Sequence, residues 1–379
     1  MKIIQITDHN GNGGVNSFVY DLCEAQVKLG NEVLFISIID YKEKATRQGL
    51  DRIESLGVKV KCLTAKDKPD AILHYIGSLR NVISDFADNK PCVCNLHLKL
   101  SVLMGVVATI GLKNIRIVET YHNNYDHYHL QYAVLHPRIK QYIAISQTCG
   151  KEMKRRFHTS NRLMSIIPNG VDRAEIRDSA FDRELQEHTD SVFVTVGRLS
   201  YEKNIKIPVE ALSKKCRKGM KYIVVGDGPE KEEIYKLADA NPYIKFTGEL
   251  QRQDALHYLA MADMVIMPSL WEGRSILQLE AMALDKPMML SDVPALREVF
   301  NEAPLKNNEL YRKCSWGYLV QTSNPVSYSE AAEAFMKLSE EEKKSMSCRV
   351  KKASLENDIN VVGQKYQKVY EKIMEKNIC

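Results

Sequence analysis

The sequence predicts an α/β protein built from two doubly wound, Rossmann-like domains. Short β-rich runs alternate with helical patterns from one end of the chain to the other, as parallel sheets require. The chain has 379 residues, which suits two domains at roughly 100–200 residues each. Because ligands of doubly wound domains bind at the carboxyl ends of the strands, we expect both domains to face a central cleft that holds the functional site.

The first domain is predicted at residues 1–172. It opens with a strand at 2–7, a loop rich in glycine and a helix at 15–29. Short apolar runs bounded by turn residues predict further strands at 33–39, 58–63, 92–96, 115–120 and 142–145, and a helix is predicted at 147–157. This order is typical of repeated βαβ units.

The second domain is predicted at residues 173–354, where the same pattern starts again. Strands are predicted at 191–196, 222–225, 245–247, 264–267 and 287–290, with helices at 206–214, 231–240, 254–262 and 275–283. A polar stretch at 173–190 has no core period, so we interpret it as the linker that leads into this domain. We expect residues 355–379 to form a C-terminal helix that packs back on the first domain.

The composition excludes several classes of protein. With 44% apolar residues the chain is not a disordered protein, and its net charge of +5 is too small for one that coats nucleic acid. The most apolar run, residues 100–112, is shorter than the roughly 20 residues of a membrane span. The nine cysteines form no CxxC pair and the N-terminus does not resemble a signal peptide, so we expect reduced thiols and a cytoplasmic protein.

The basic residues are concentrated in the first half of the chain. Residues 1–175 carry a net charge of +6, and the remainder carries −1. Four of these cations lie on the helix predicted at 147–157, namely Lys151, Lys154, Arg155 and Arg156. They predict a peripheral contact with an anionic membrane, and a solvated helix face is the alternative interpretation.

The loop after the first strand contains Gly11, Gly13 and Gly14. Glycine lets a backbone approach a ligand closely, and the N-terminus of the following helix favours an anion. The loop lacks the full G-x-G-x-x-G pattern, so a dinucleotide-dependent dehydrogenase is weakly supported. A tight turn that requires glycine is the alternative.

Two cations, Arg198 and Lys203, follow the strand predicted at 191–196. Because strand ends face the cleft, these cations are placed to neutralise a pyrophosphate. The alternative is a solvated loop in which Glu202 pairs with one of them.

Ser275 followed by Gln278 predicts a capping box, and therefore a helix that begins at Ser275. The N–H groups of Ile276 and Leu277 in its first turn would then be available to an anion. This helix start is expected at the same edge of the sheet as Arg198 and Lys203.

Glu280 lies within this helix among apolar residues. Burying a carboxylate there costs roughly 2–7 kcal/mol of folding free energy unless the group is paired or hydrogen-bonded. Two hydroxyls of a sugar diol would satisfy it, and an ion pair with Lys286 or Arg297 is the alternative. Glu272 precedes the helix on a loop, from which the two glutamates can straddle one extended ligand. A solvent-exposed loop acid is the alternative interpretation of Glu272.

In chain order, these segments resemble the retaining glycosyltransferases of the GT-B fold. The matching segments are Gly13-Gly14, Asn169-Gly170-Val171-Asp172, Gly197-Arg198-Leu199 with Lys203-Asn204, Gly226-Asp227-Gly228-Pro229 and Pro268-Ser269. Glu272-Gly273 and Glu280-Ala281-Met282-Ala283, followed by Lys286-Pro287, are similar to the paired-glutamate signature of the group 1 branch. The match is specific in the second half and generic in the first, which reads the acceptor in this family.

The resemblance implies a role for each candidate residue. Arg198 and Lys203 would hold the donor diphosphate and stabilise the leaving nucleoside diphosphate. Glu280 would bind the ribose, and Glu272 would face the donor sugar. His122 would be the sugar-contacting histidine, with a satisfied strand-end histidine as the alternative.

These roles give two sets of site residues. The predicted catalytic set is Arg198, Lys203, Glu272 and His122, and the predicted donor-binding set is Gly13, Gly14, Gly197, Gly228, Ser275, Ile276, Leu277 and Glu280. The chain departs from the family pattern at Arg274-Ser275 and Leu284-Asp285, where Phe-Gly and Cys-Gly are usual. Arg274 is expected to add a cation near the sugar pocket, which leaves the identity of the sugar open.

The resemblance implies sugar transfer with retention from a nucleoside-diphosphate sugar, UDP favoured over GDP, to a glycan or lipid-linked acceptor in cell-surface polysaccharide assembly. The chain contains no Asp-x-Asp, so we expect a metal-independent enzyme with no cofactor and no nucleic-acid partner. The alternatives are a nucleotide-sugar epimerase or hydrolase, and a non-catalytic subunit that binds a nucleotide sugar.

Overall fold

The chain folds into two compact units. A computed structural model describes residues 1–11, 13–41, 44–65, 75–122, 135–181 and 190–375. Unit 1 comprises Met1–Gly170 and Ile359–Cys379, and unit 2 comprises Val171–Asp358. The chain therefore enters unit 2 two residues before the predicted boundary at 172 and leaves it four residues after the predicted boundary at 354.

Unit 1 is built on a parallel sheet of seven strands in the order β3-β2-β1-β4-β5-β6-β7. The strands are β1 (Lys2–His9), β2 (Glu32–Asp40), β3 (Lys59–Ala65), β4 (Cys92–His97), β5 (Ile115–Tyr121), β6 (Ile139–Ala144) and β7 (Met164–Ile166). The helices between them are α1 (Gly14–Lys28), α2 (Lys44–Ser55), α3 (Ile76–Ala87), α4 (Lys99–Ala108) and α5 (Gln147–Phe157). The strand order reverses at β1 and β4, which is the point where doubly wound sheets bind ligands.

Unit 2 repeats this architecture with the order β10-β9-β8-β11-β12-β14-β13. Its strands are β8 (Ser191–Val196), β9 (Met220–Val225), β10 (Ile244–Gly248), β11 (Met264–Met267), β12 (Met288–Ser291), β13 (Tyr311–Cys314) and β14 (Gly317–Val320). Its helices are α6 (Arg173–Ala180), α7 (Lys206–Ser213), α8 (Lys231–Leu237), α9 (Arg252–Met261), α10 (Ile276–Ala283), α11 (Pro294–Glu298), α12 (Pro325–Met336) and α13 (Glu340–Ser354). The strands of unit 2 run parallel except β13, which pairs antiparallel with β14 at the sheet edge. Two doubly wound α/β units with mainly parallel sheets confirm the predicted fold class.

Both faces of the unit 2 sheet are buried. Along β8, Val192 and Val194 belong to one core cluster, whereas Phe193 belongs to the other. Because successive side chains of a strand point to opposite faces, helices must cover the sheet on both sides. This explains why the strands are continuous apolar runs rather than alternating patterns.

The interpretation of residues 173–190 as a linker is wrong for its first part. Residues Arg173–Ala180 form α6, which Asp172 caps by accepting the N–H of Glu175 at 2.9 Å. Ile176 and Ala180 are buried in the unit 2 core. Two buried apolar positions in an eight-residue helix are too few for a visible period. The rest of the predicted linker, residues 182–189, lies outside the described residues.

A last helix, α14 (Ile359–Glu375), follows unit 2 in the chain but packs in unit 1 against α1. Gly363 allows a close crossing, because a Cβ there would lie 2.8 Å from the Cβ of Ala25. Gln26 on α1 donates a hydrogen bond to the carbonyl oxygen of Gly363 at 3.0 Å. Among the described residues, no helix combines the length and the apolarity that crossing a membrane would take.

Candidate functional site

Two of the predicted catalytic residues meet at the carboxyl edge of the unit 2 sheet. The Nζ atom of Lys203 lies 2.6 Å from Oε1 of Glu272. Lys203 ends a short 3-10 turn after β8, and Glu272 stands on the loop between β11 and α10. Ser269 donates a second hydrogen bond to the same carboxylate oxygen at 2.8 Å. Glu272 is thus not a free, solvent-exposed acid, and Lys203 forms its ion pair with Glu272 rather than with the neighbouring Glu202.

Asn204 fixes the loop that carries Lys203. Its backbone is left-handed with φ 53°, a conformation that asparagine tolerates better than most residues. Its Nδ2 donates to the carbonyl oxygens of Pro268 at 3.1 Å and Thr322 at 2.9 Å. One buried amide therefore joins the loops that follow β8, β11 and β14. The sequence presents Asn204 only as part of a motif, and its position beside Lys203 is the signal that could have identified it.

Arg198 is exposed at the same edge, and within the described ranges its guanidinium makes no hydrogen bond to protein. The backbone beside it packs tightly on the loop after β9. Leu199 donates its N–H to the carbonyl oxygen of Asp227 and accepts from the N–H of Glu230, both at 2.9 Å. A Cβ on Gly228 would lie 2.4 Å from the carbonyl oxygen of Leu199. The tight packing against Leu199 is by itself a sufficient reason for glycine at position 228, without any contact to a ligand.

Ser275 caps α10, as the sequence predicts, because its Oγ accepts the N–H of Gln278. The reciprocal half of the predicted capping box is missing, because Oε1 of Gln278 accepts no hydrogen bond within the described ranges. Nε2 of the same side chain donates to the carbonyl oxygen of Leu296 at 3.0 Å. The first-turn N–H groups of Ile276 and Leu277 have no acceptor within the helix by construction. They can bind an anion at the edge where Lys203 lies.

Glu280 takes part in an ion pair that the local sequence does not reveal. Nε of Arg252, at the start of α9, lies 3.2 Å from Oε1 of Glu280. Arg252 also reaches both carboxylate oxygens of Glu175 on α6, at 3.0 and 2.9 Å. The alternative of an ion pair with Lys286 or Arg297 is therefore wrong as to the partner, because a helix distant in sequence supplies the cation. The ribose contact of Glu280 stays a prediction.

Arg274 does not add an exposed cation to the sugar pocket. The side chain is buried, and Nη2 donates to Oδ1 of Asn357 at 2.6 Å. Burial lowers the pKa of this guanidinium to about 10. Asp285, the other departure from the family pattern, adopts a left-handed turn with φ 59° and accepts a hydrogen bond from Arg177 at 3.0 Å.

In unit 1 the glycine loop leads directly into α1. The helix begins at Gly14, Gly13 occupies the cap position, and both residues are exposed. Asn16 in the first turn donates to the carbonyl oxygen of Gly11 at 2.5 Å, which closes the loop. Backbone N–H groups at an exposed helix start are compatible with an anion-binding role for the predicted donor-binding residues Gly13 and Gly14.

His122 is buried at the end of β5. Its Nε2 lies 2.9 Å from Nδ1 of His97, and the ring of Phe18 contacts it edge-on at 5.8 Å between centroids. Burial lowers the pKa of His122 to about 3, so the imidazole is neutral.

Across the described ranges, no three His, Cys, Asp or Glu side chains come together as metal ligands. Metal independence stays a prediction.

Two family models match consecutive parts of the chain. The model described as Glycosyltransferase Family 4 matches residues 12–175, and the model described as Glycosyl transferases group 1 matches residues 176–349. The first match lies in unit 1 except for its last few residues, and the second lies wholly in unit 2.

Named relatives align over most of the chain at low identity. A human protein, one of the subunits of phosphatidylinositol N-acetylglucosaminyltransferase, is 21% identical over 306 residues, which is 76% of this chain and 61% of that protein. The alpha-monoglucosyldiacylglycerol synthase of Acholeplasma laidlawii is 25% identical over 312 residues, 73% of this chain and 76% of that protein. The chain thus spans less than two thirds of the human relative.

A solved structure shares the fold over nearly the whole chain. The Anabaena protein HepE, crystallised with UDP and glucose, is 16% identical with a TM-score of 0.76 and covers 98% of this chain and 99% of its own. This likeness confirms the predicted fold class.

Proposed function

The chain belongs to the group 1 glycosyltransferases, and from that premise we propose that it transfers a sugar from a nucleoside-diphosphate sugar to an acceptor, with retention at the anomeric carbon. The observation that carries the proposal is the meeting of Lys203 and Glu272 at 2.6 Å beside the start of α10. These residues are 69 positions apart in sequence, yet they form one polar site.

The charges of this site suit the charges that glycosyl transfer creates. As the bond between sugar and diphosphate breaks, negative charge grows on the departing diphosphate and positive charge on the sugar ring. Arg198, Lys203 and the N–H groups at the start of α10 supply preorganised positive charge for the diphosphate. Glu272 is placed to accept hydrogen bonds from sugar hydroxyls, and Glu280 from the ribose. Retention fits attack from the face that the leaving diphosphate vacates.

For the donor we propose a UDP-sugar, with a GDP-sugar as the second candidate. The Anabaena protein with the same fold was crystallised with UDP and glucose, which supports uridine. Arg252 contacts Glu280 at 3.2 Å. This contact supports a proposed role of Glu280 as an oriented acceptor for the ribose hydroxyls.

For the acceptor we propose a glycan or a lipid-linked molecule at the membrane surface, as in cell-surface polysaccharide assembly. The two named relatives carry phosphatidylinositol and diacylglycerol in their names, which supports a lipid-linked acceptor. On α5, Lys151 and Lys154 are exposed, and Arg155 pairs with Glu152 at 2.6 Å. We propose that this basic helix contacts anionic headgroups at the cytoplasmic face. The side chain of Arg156, the fourth predicted cation, lies outside the described part of the chain.

A nucleotide-sugar screen tests the reaction class. Purified chain is incubated with UDP- and GDP-sugars, with membrane lipid extract as acceptor, in the presence and absence of EDTA. We expect nucleoside diphosphate release that requires acceptor and persists in EDTA. Release of free sugar or a changed nucleotide sugar without acceptor would favour the hydrolase or epimerase, and binding without any turnover would favour the non-catalytic subunit. Loss of turnover in EDTA would contradict metal independence alone.

A further inference from the structure

Two exposed aromatic side chains stand next to each other at the carboxyl edge of the unit 2 sheet. Tyr201, in the turn after β8, is 61% exposed, and Trp271, on the loop between β11 and α10, is 57% exposed. Their ring centroids lie 5.9 Å apart, and we call these two rings the aromatic platform. Within the described ranges, no other large apolar side chain is more exposed than these two. Neighbouring aromatic rings this open to water are typical of a binding surface rather than of a core.

The two loops that carry the aromatic platform are fixed to each other. Leu270 donates its N–H to the carbonyl oxygen of Glu202 at 2.9 Å, and Lys203 pairs with Glu272 at 2.6 Å. These four residues are the neighbours of the two rings in sequence, so both rings are carried by backbone that is held from the opposite loop. A surface fixed in advance loses little conformational freedom when a ligand stacks on it.

The charges on these loops favour a ligand that is uncharged and carries hydroxyl groups. Residues 197–204 and 268–273 contain two cations and two carboxylates, namely Arg198, Lys203, Glu202 and Glu272. Because these formal charges cancel, the two loops together offer an anionic membrane surface no net attraction. A sugar suits this surface, since an aromatic face can cover the apolar face of its ring and a carboxylate accepts hydrogen bonds from its hydroxyls.

We propose that the aromatic platform stacks against a sugar ring that the acceptor already carries, so that the acceptor is a glycan or a glycolipid. This inference rests on the proposed function and narrows it. Glu272 is assigned there to the donor sugar, and it follows Trp271 directly in the chain. A ring stacked on Trp271 is therefore next to the proposed position of the transferred sugar. A lipid headgroup without a sugar would leave both aromatic rings uncovered.

Tryptophan fluorescence tests the contact directly, because the chain contains two tryptophans. Trp316 is buried and stacks on Phe300, so acrylamide quenches mainly the exposed Trp271. The full chain is titrated with methyl α-glucoside, methyl α-galactoside and maltotriose, with and without UDP. We expect at least one of these sugars to lower the acrylamide quenching constant by roughly half, since a ring stacked on one face of the indole covers that face. An unchanged quenching constant with all three sugars would overturn the proposal.

Two other ligands distinguish the alternative uses of the aromatic platform. Vesicles of phosphatidylglycerol shield Trp271 if the rings contact a membrane, and UDP alone shields it fully if they hold the nucleobase. Shielding by vesicles but not by the sugars, or complete shielding by UDP alone, would each contradict a sugar contact. Loss of the quenchable emission in Trp271→Phe assigns the signal to this residue.

Two replacements separate binding of the acceptor from catalysis. With membrane lipid extract as acceptor, we expect Trp271→Ala to raise the extract concentration that gives the half-maximal rate by about threefold to tenfold. The maximal rate and the affinity for UDP should not change, because neither ring touches the groups assigned to the diphosphate. Trp271→Phe keeps an aromatic face and should resemble the wild type. Equal half-maximal concentrations in Trp271→Ala and the wild type would contradict the role of Trp271.

Phe181→Ala is the matched control, because Phe181 is another exposed aromatic residue of unit 2 and packs against the guanidinium of Arg177 at 5.8 Å. We expect its quenching constant and its half-maximal concentration to equal those of the wild type. Replacing exposed rings costs little folding stability, so Trp271→Ala should fold. If the wild-type chain turns over no nucleotide sugar, the proposed function fails, whereas the fluorescence titration still decides whether the aromatic platform binds a sugar.

Discussion

Lys203 and Glu272 hold opposite charges in direct contact, and each charge has a separate use in the proposed reaction. When the donor binds in the proposed reaction, a phosphate oxygen replaces Glu272 as the partner of Lys203. The ammonium group is therefore neutralised both before and after the donor binds. Charge-assisted hydrogen bonds of this kind contribute about 1.5–3 kcal/mol each. The affinity for a nucleoside diphosphate should therefore depend strongly on this one side chain.

We predict that Lys203→Met lowers the affinity for UDP by about 10- to 100-fold, the equivalent of one charge-assisted bond. Isothermal titration calorimetry measures the change. Lys206→Met is the control, because Lys206 lies in the next turn of the chain and pairs with Glu233 at 3.9 Å. Equal affinities of Lys203→Met and the control would contradict a phosphate contact for Lys203.

Asp8 is a second residue with a measurable effect, this time on stability. Its carboxylate accepts the N–H groups of Leu100 at 2.9 Å and Ser101 at 2.7 Å, at the start of α4. Burial raises the pKa of Asp8 from 3.8 to about 6 despite these hydrogen bonds. The folded chain therefore binds this proton more tightly than the unfolded chain, and the stabilisation from protonation is lost as the pH rises through about 6.

We predict that the stability difference between the wild type and Asp8→Asn changes by about 1.4 kcal/mol between pH 5 and pH 7, in favour of the wild type at pH 5. Urea unfolding at the two pH values measures it, and other titrating groups cancel in the difference. A difference independent of pH would show that Asp8 keeps an ordinary pKa.

At the scale of elements, the loops that follow β8 and β9 pack against each other through direct contact of their backbones. Asp227 and Leu199 are joined by a backbone hydrogen bond, and Gly228 leaves no room for a side chain. We predict that Gly228→Ala destabilises unit 2 by more than about 2 kcal/mol, because a backbone atom cannot move aside as a side chain can. Thermal unfolding compares it with Gly77→Ala, where a Cβ meets nothing within 4 Å. Equal stability of the two variants would refute the packing role.

The sequence predicted every described strand of both sheets except β7, β13 and β14, which lie at or next to one edge of each sheet. Strands such as β8 and β11 are buried on both faces, so their residues form continuous apolar runs that are easy to recognise. The hairpin of β13 and β14 was not predicted, because β13 lies at the sheet edge, where Lys313 is exposed and Arg312 pairs with Glu309. Edge strands are commonly charged in this way, and the apolar pattern is lost.

Some residues of the candidate site could likewise be predicted from the sequence, and others could not. Lys203, Glu272 and Ser275 could be predicted because each lies next to a glycine, a strand end or a helix cap. Arg252 and His97 could not, since their partners come from strands and helices far away in sequence. Such contacts follow from the sheet order, which local patterns do not encode.

At the scale of the whole molecule, the division into two units predicts which residues a bound nucleotide protects from hydrogen exchange. The residues assigned to the diphosphate and ribose lie in Val171–Asp358, apart from the glycine loop before α1. We predict that UDP slows amide hydrogen exchange at residues 197–204 and 269–284, and leaves the core of unit 1 around β3 unchanged. Protection confined to unit 1 would contradict the assignment of the donor site. Repeating the measurement with UMP in place of UDP tests how much of the protection depends on the diphosphate.

The position of α14 has a consequence for the order in which the protein is synthesised. Unit 2 is one continuous segment, so it can fold as soon as residue 358 has left the ribosome. The strands of unit 1 are synthesised first, but its folding is completed later than that of unit 2. The reason is that Tyr370 on α14, near the end of the chain, accepts hydrogen bonds from Gln5 and Asn95 in the interior of unit 1. The earliest residues of the nascent chain therefore depend on the latest, and a premature stop codon in the second half would leave the polar interior of unit 1 without its partner.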